Sequence, residues 1–190
     1  MTLQKINTRN IVLILMIVAA AAFRLFAYNY PHSLSNFNPV GAIAIFGGAY
    51  FTDKWKAYLV PLLALFVSDI FLNHLYSGKW MLMDQSSIMV YVFFAVMVFF
   101  GSLIKKVNVM NVFAVSLLGV VLHWLLTDLP LFGTLYPHTF SGYIQALVAA
   151  IPFEKNMLYG DVVFCAILFG GFEFAKSKYS ALRNGREFAV

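Results

Sequence analysis

Long runs of apolar residues, separated by short polar segments, dominate the sequence. Six of these runs have the composition of membrane-spanning helices, which need roughly 20 predominantly apolar residues to cross a bilayer. They cover residues 11–28, 39–51, 57–76, 86–104, 109–129 and 157–175. The pattern therefore predicts an all-α polytopic membrane protein, in which residues 1–190 form a single integral membrane domain with six transmembrane helices.

The segment before the last run has a different pattern. Residues 132–156 contain the apolar run 143–151, with Pro137 before it and Pro152 after it. This run is too short to cross a bilayer, and prolines at both ends interrupt regular helix. We therefore expect a separate re-entrant or interfacial helix before the last span.

The second apolar run is short and rich in glycine and alanine. Ala44 and Gly48 lie one helical turn apart within it. Small residues at this spacing allow the backbones of neighbouring helices to approach closely. We therefore expect this helix to pack tightly inside the protein.

The composition supports the membrane class, because 62% of the residues are hydrophobic and only 11% are charged. A formal net charge of +5 would also suit a nucleic-acid-binding protein. However, the basic residues lie at the ends of the apolar runs rather than in one cluster, so the lipid bilayer is the expected environment and no nucleic-acid partner is predicted. The single cysteine, Cys165, excludes an internal disulfide, and its apolar neighbours predict a buried core position.

The distribution of lysine and arginine orients the predicted helices. Six spans place both termini on the same side, and ten of the 13 basic residues then lie on that side, against two on the other. Because cytoplasmic loops carry the excess of positive charge, both termini are predicted to be cytoplasmic. The ten residues are Lys5, Arg9, Lys54, Lys56, Lys105, Lys106, Lys176, Lys178, Arg183 and Arg186.

Four charged residues lie inside the predicted spans or at their ends, namely Arg24, Asp69, Asp128 and Asp161. A charge inside a membrane is costly unless it is paired or faces a wet cavity, so each is a candidate functional residue. In the predicted orientation all four lie in the outer half of the bilayer, which predicts a polar pocket open to the exterior. Structural roles remain as alternatives: Arg24 can pair with Asp69 or Asp161, Asp128 can be a solvated helix end, and Asp161 can be a favourable charge at a helix N-terminus.

Neighbouring polar residues complete the candidate site. The predicted ligand-binding residues are Arg24, Asn36, Asn38, Asp69, Asn73, His74, His123 and Asp128. No spacing of histidine, cysteine or carboxylate residues matches a recognised metal motif, so no metal ion or cofactor is predicted. Only His74 is a candidate metal ligand, through a ring nitrogen.

The sequence contains no Walker motif, no G-x-S-x-G and no H-E-x-x-H, so no enzymatic activity is predicted. Transport would then need an ion gradient or a separate ATPase subunit. Two other functions fit the same residues. One is an autonomous proton- or ion-coupled carrier in which Asp69 and Asp128 titrate, and the other is a membrane enzyme that acts on a lipid or isoprenoid through these two carboxylates.

Two segments carry a resemblance to known proteins. The sequence NFNPVGAIAIFGGAY at residues 36–50, followed by PLLALFVSD at residues 61–69, resembles an uncharacterised bacterial family of small proposed transport proteins. The size and the six spans are also similar to the substrate-binding S components of energy-coupling factor vitamin transporters, most of all to the cobalamin type. The resemblance implies a location in the bacterial inner membrane, an outward-facing pocket for a small-molecule ligand, and docking to a transmembrane coupling subunit with two ATPases.

One departure from that resemblance concerns cobalt binding. Some cobalamin-type members use a cysteine thiolate in the outer half as a cobalt ligand, whereas Cys165 lies in the last span of this chain. His74 is therefore the candidate axial ligand for cobalt.

Overall fold

The computed structural model describes residues 7–31, 34–83, 87–127 and 135–183, and all regular structure in these ranges is helical. Five helices come first, and a long helical segment with one π-helical turn follows them. The helices are α1 (Thr8–Ala27), α2 (Val40–Tyr50), α3 (Lys54–Ser77), α4 (Ser87–Ser102), α5 (Val109–Thr127), α6 (Phe140–Cys165), the π-helical turn Ala166–Gly170, and α7 (Gly171–Lys178). A short 3-10 turn, Ser180–Leu182, ends the described chain.

Four of the helical segments are long and apolar enough to cross a membrane: α1, α3, α5 and the segment Phe140–Lys178. The other two are shorter. At about 1.5 Å per residue, α2 is about 16 Å long and α4 about 24 Å, against roughly 30 Å for the hydrocarbon core of a bilayer. The all-α prediction is confirmed for the described residues, whereas six full crossings stay a prediction.

The predicted separate helix before the last span is wrong. α6, the π-helical turn and α7 are continuous, and we call this 39-residue segment, Phe140–Lys178, the C-terminal helix. Its N-terminus is capped by the Thr139 hydroxyl, which accepts a hydrogen bond from Gly142 N at 3.1 Å. At about 1.5 Å per residue it is about 58 Å long, far longer than the bilayer core.

The C-terminal helix continues through Pro152 because α5 packs beside it on both sides of the proline. Proline removes one backbone hydrogen bond from a helix. Before Pro152, the Trp124 indole N–H donates to the Leu147 carbonyl at 2.9 Å, and after it, Ser116 donates to Asp161 at 3.2 Å. These contacts hold the two parts of the helix in line.

Side-chain contacts fix the relative directions of several helices. α1 and α3 are parallel, because Arg24 pairs with Asp69 and, further along both helices, Tyr28 donates to the Leu75 carbonyl. α5 is antiparallel to the C-terminal helix, since Ser116 meets Asp161 while the later His123 meets the earlier Glu154. These directions agree with consecutive helices that alternate along the bundle.

α2 is the buried centre of the fold, and it contacts α1, α3, α4, α5 and the C-terminal helix. Its glycines allow very close approach. A Cβ atom on Gly48 would lie 2.9 Å from Ser102 N, and one on Gly47 would lie 3.3 Å from the Ala57 carbonyl oxygen. Conversely, Gly101 of α4 brings its backbone against Ile45. The predicted tight internal packing of this helix is confirmed.

We expect Gly48→Ala to destabilise the fold by about 1–3 kcal/mol, because the added methyl group has no space between α2 and α4. Gly171→Ala is the matched control, since a Cβ there meets only the flexible Met16 side chain at an ordinary 3.6 Å. Thermal unfolding of both variants in the same detergent measures the difference. Equal melting temperatures for the two variants would contradict the close contact at Gly48.

Candidate functional site

A half-buried ion pair joins α1 to α3. Arg24 Nη2 lies 2.7 Å from Asp69 Oδ1, and Arg24 Nη1 donates to the Ser68 hydroxyl. From α4, the Tyr91 hydroxyl donates to Asp69 Oδ2 at 2.6 Å. Both carboxylate oxygens of Asp69 are therefore occupied, and of the two acidic partners that the sequence left open for Arg24, the structure selects Asp69.

Asp161 is fully buried in the C-terminal helix, with 0% of its surface exposed. Its Oδ1 accepts a hydrogen bond from Ala42 N at 3.1 Å, and its Oδ2 accepts one from the Ser116 hydroxyl at 3.2 Å. Gly41 makes this approach possible, because a Cβ there would lie 2.8 Å from Asp161 Cγ. Asp161 forms no ion pair with any residue that the structure describes.

The expectation that Asp161 is a charge at the N-terminus of its own helix is wrong, because the helix begins at Phe140. Asp161 instead acts on another helix. Ala42 lies in the first turn of α2, where backbone N–H groups have no partner within the helix and the helix dipole favours negative charge. The Asp161 carboxylate therefore caps the N-terminus of α2 from a neighbouring helix.

A second polar pair lies on the same seam between α5 and the C-terminal helix. His123 Nδ1 lies 2.9 Å from Glu154 Oε1, and the His123 ring packs edge-on against Phe93. This pair is two helical turns, about 10 Å, from the Ser116–Asp161 pair along both helices. Glu154 is buried, and its Oε2 has no hydrogen-bond partner among the residues that the structure describes.

The end of α3 holds Asn73 and His74. The His74 ring stacks on Trp80 with ring centroids 4.1 Å apart and an interplanar angle of 4°. His74 Nδ1 is buried and has no hydrogen-bond partner within the described part of the chain. Asn73 Nδ2 donates to the Met81 carbonyl at 3.3 Å, which ties α3 to the segment after it.

The two loop asparagines shape the backbone that leads into α2. Asn36 has a φ of 57°, a left-handed conformation that asparagine tolerates better than most residues. Asn38 Oδ1 accepts from Val40 N at 3.1 Å, and Asn38 Nδ2 donates to the Asn36 carbonyl at 3.3 Å. Both asparagines therefore have structural contacts within this loop.

The eight predicted ligand-binding residues do not form one continuous cluster of contacts. Direct contacts join Arg24 to Asp69 and Asn36 to Asn38, while the partners of Asn73, His74 and His123 described above lie outside the predicted set. Asp128 lies outside the described residues. No group of three histidine, cysteine, aspartate or glutamate side chains among residues 7–31, 34–83, 87–127 and 135–183 could hold a metal ion.

Sequence reasoning missed Glu154 and gave Asp161 only a minor structural role. Glu154 follows Pro152, and the proline predicts a break between helices at this point. The signal was nevertheless present, since Glu154 and Asp161 are seven residues apart and so share one face of a continuous helix. Tyr91 and Ser116, which hydrogen-bond to the two aspartates, were also missed because isolated hydroxyl groups are ordinary within membrane helices.

A model of the family described as "Family of unknown function (DUF6580)" matches residues 4–182 of the chain. No curated protein and no solved structure matches it.

We expect the Arg24–Asp69 pair to show strong coupling. Asp69→Asn or Arg24→Gln alone leaves one half-buried charge without its partner and should cost about 1–3 kcal/mol of stability. The double variant removes both charges and should recover a large part of that loss. Chemical or thermal unfolding in detergent gives the double-mutant cycle, and strictly additive losses would show that the pair carries no coupling.

The cap on α2 predicts a specific order of stability at position 161. Asp161→Asn keeps an acceptor for Ala42 N–H and should stay within about 1 kcal/mol of the native protein. Asp161→Leu has the same branching and number of side-chain heavy atoms but leaves the Ala42 and Ser116 donors unpaired, so it should be less stable than Asp161→Asn by about 1–3 kcal/mol per lost partner. Asp53→Asn, at an exposed surface pair with Lys56, is the control. Thermal unfolding measures all three, and a leucine variant as stable as the asparagine variant would rule out the cap.

Proposed function

We propose that this chain, which belongs to the family of unknown function DUF6580, is a membrane transport protein that captures a small nutrient. In the specific form of the proposal, it is the substrate-binding S component of an energy-coupling factor transporter in the bacterial inner membrane. Its ligand is a vitamin or similar micronutrient, with cobalamin or another corrinoid as the first candidate. A transmembrane coupling subunit and ATPase subunits supply the energy.

The basic end of the bundle supports the proposed orientation. Arg9 of α1, Lys105 after α4 and Lys176 of α7 line one cavity, so basic residues from three distant parts of the chain meet at one end. Under the positive-inside rule this end faces the cytoplasm. From Arg9 to Arg24, α1 rises by about 22 Å at about 1.5 Å per residue, so in the proposed orientation Arg24 and its partner Asp69 lie towards the exterior.

Two of the three buried side-chain atoms that lack a hydrogen-bond partner among the described residues carry the proposal, namely Glu154 Oε2 and His74 Nδ1. Buried polar atoms are rarely left unpaired in native proteins, and each exception needs an explanation. Both atoms belong to the half of the bundle opposite the basic end. A ligand with hydroxyl or amide groups would supply the missing hydrogen bonds, and intramembrane ionisable residues are typical of substrate pathways.

A corrinoid ligand would also require His74 to contact cobalt through a ring nitrogen. Because Nδ1 is enclosed, an axial bond to cobalt would have to be made by Nε2. The parallel stacking on Trp80 fixes the plane of the imidazole ring. This stacking orients the ring without using either of its nitrogen atoms.

A specific observation also favours a second candidate, an autonomous proton- or ion-coupled carrier. Chains of aspartate, glutamate and histidine inside membranes are typical of proton relays. The pairs His123–Glu154 and Ser116–Asp161 form such a series along one helix seam. This series suits proton transfer better than Asp69, whose two oxygens are already held by Arg24 and Tyr91.

We expect purified protein to bind hydroxocobalamin or a co-purified vitamin without any ion gradient, because an S component binds its ligand before energy is supplied. Native mass spectrometry and the visible absorption spectrum detect the complex. Glu154→Gln should weaken binding at least tenfold, and His74→Ala should do the same and shift the corrinoid spectrum. His138→Ala, at an exposed histidine, is the matched control.

The outcomes separate the candidates. Unchanged cobalamin affinity in His74→Ala would rule out the proposed contact between His74 and cobalt. Vitamin binding would then be tested by Glu154→Gln alone. Uptake into vesicles that follows an imposed pH gradient without any ATPase, and that Glu154→Gln abolishes, would overturn the S-component proposal in favour of the carrier.

A further inference from the structure

Two cavities adjoin at the basic end of the bundle, and they differ sharply in chemistry. The first is an apolar groove of about 440 Å³ between α5 and the C-terminal helix. The second is a polar cavity of about 220 Å³ among the ends of α1, α2 and α7 and the segment after α4. Val107 and Glu173 line both, so the two cavities are contiguous.

The apolar groove opens on the side of the bundle. Its outer walls include Val109, Phe113 and Ala166, which are exposed, while its floor includes the buried residues Phe169 and Cys165. A volume of this size falls within the range of about 300–1,000 Å³ that is typical of ligand pockets. An exposed apolar groove on a membrane helix pair lies open to the acyl chains of the bilayer.

The π-helical turn helps to form this groove. Ala166, Phe169 and Gly170 of the turn all line it, and a Cβ atom on Gly170 would meet nothing within 4 Å. π-Helical turns inside α-helices occur frequently at functional sites. The groove therefore coincides with a departure from regular helix geometry.

The described lining of the polar cavity contains more basic than acidic residues. Arg9, Lys105 and Lys176 line it, against the single carboxylate of Glu173. That carboxylate accepts hydrogen bonds from the Tyr50 hydroxyl at 2.5 Å and from Lys176 at 2.8 Å. Arg9 is held in place by a hydrogen bond from its Nε to the Leu182 carbonyl and by the Phe172 ring. Of the four charged residues among the described lining, three are therefore basic, and they lie beside the mouth of the apolar groove.

We propose that the two cavities together bind an anionic phospholipid, with one acyl chain in the apolar groove and the phosphate headgroup beside Arg9, Lys105 and Lys176. Basic pockets between membrane helices are suited to acidic headgroups, and each basic residue near the surface adds to the attraction. A zwitterionic headgroup brings a choline cation into the same positive field, so the site favours a net negative lipid. The inference does not depend on the proposed transport function, which uses the opposite end of the bundle.

The steric arm of the test uses the two neighbouring glycines of the C-terminal helix. Full-length protein in detergent is titrated with phosphatidylglycerol or phosphatidylcholine, and native mass spectrometry counts the retained lipids. We expect one phosphatidylglycerol to be retained at least tenfold more tightly than phosphatidylcholine. Gly170→Leu fills the open space in the groove and should abolish this preference, whereas Gly171→Leu, which faces Met16 instead, should keep it.

The charge arm compares two exposed lysines at the same end of the bundle. Lys105→Gln should weaken phosphatidylglycerol binding roughly fivefold, which corresponds to one basic residue near an acidic surface. Lys54→Gln removes an equal charge outside both cavities and should change little. Equal retention of the two lipids, or equal effects of the two lysine variants, would overturn the proposal.

Inorganic phosphate distinguishes a lipid site from a site for a free anion. A lipid site should need the acyl chain, so millimolar phosphate should fail to displace bound phosphatidylglycerol. If phosphate competes efficiently and Gly170→Leu leaves phosphate binding intact, the cavity takes a free anion and the lipid assignment is wrong.

Discussion

The cap that Asp161 places on α2 is the interaction on which the rest of the structure depends. α2 has only 11 residues, and helices this short are marginal without tertiary support. Its first-turn N–H groups are buried, where an unpaired donor is costly. Asn38 satisfies Val40 N, and Asp161 satisfies Ala42 N from the C-terminal helix. α2 contacts all the other helices of the bundle. Fixing its N-terminus therefore fixes the surface against which those helices pack.

The polar residues inside the bundle serve two different physical ends. Arg24 and Asp69 form an ion pair, and Tyr91 donates a hydrogen bond to Asp69. These contacts join α1, α3 and α4 and leave neither charge unpaired. The hydrogen bonding between α5 and the C-terminal helix is less complete, because Glu154 Oε2 has no partner among the described residues. A satisfied network rigidifies a fold, while an incomplete one marks the place where another group belongs. This contrast, rather than charge alone, directs attention to Glu154.

Much of the fold could be predicted from the pattern of apolar residues. The first five runs became helices with ends close to the predicted ones, since helix position follows directly from local hydrophobicity. The continuity of the C-terminal helix could not be predicted in this way, because it depends on α5 packing beside Pro152. Arg24 had two acidic candidates in the sequence, and only the parallel packing of α1 on α3 selects Asp69. Local sequence signals thus predict the helices, whereas the contacts between side chains on different helices can be identified only from the tertiary arrangement.

Ser116 links the two ends of the molecule. It lines the apolar groove near the basic end, and its hydroxyl donates to Asp161, which caps α2. An acyl chain in that groove would therefore pack against the residue that holds the Asp161 carboxylate in place. Two turns further along the same seam, His123 holds Glu154. Both pairs need the same alignment of α5 against the C-terminal helix, because Ser116 and His123 are seven residues apart on one helix and Asp161 and Glu154 are seven residues apart on the other. A change that slides one helix along the other would therefore break both pairs together, so the apolar groove and the buried polar residues share one packing contact.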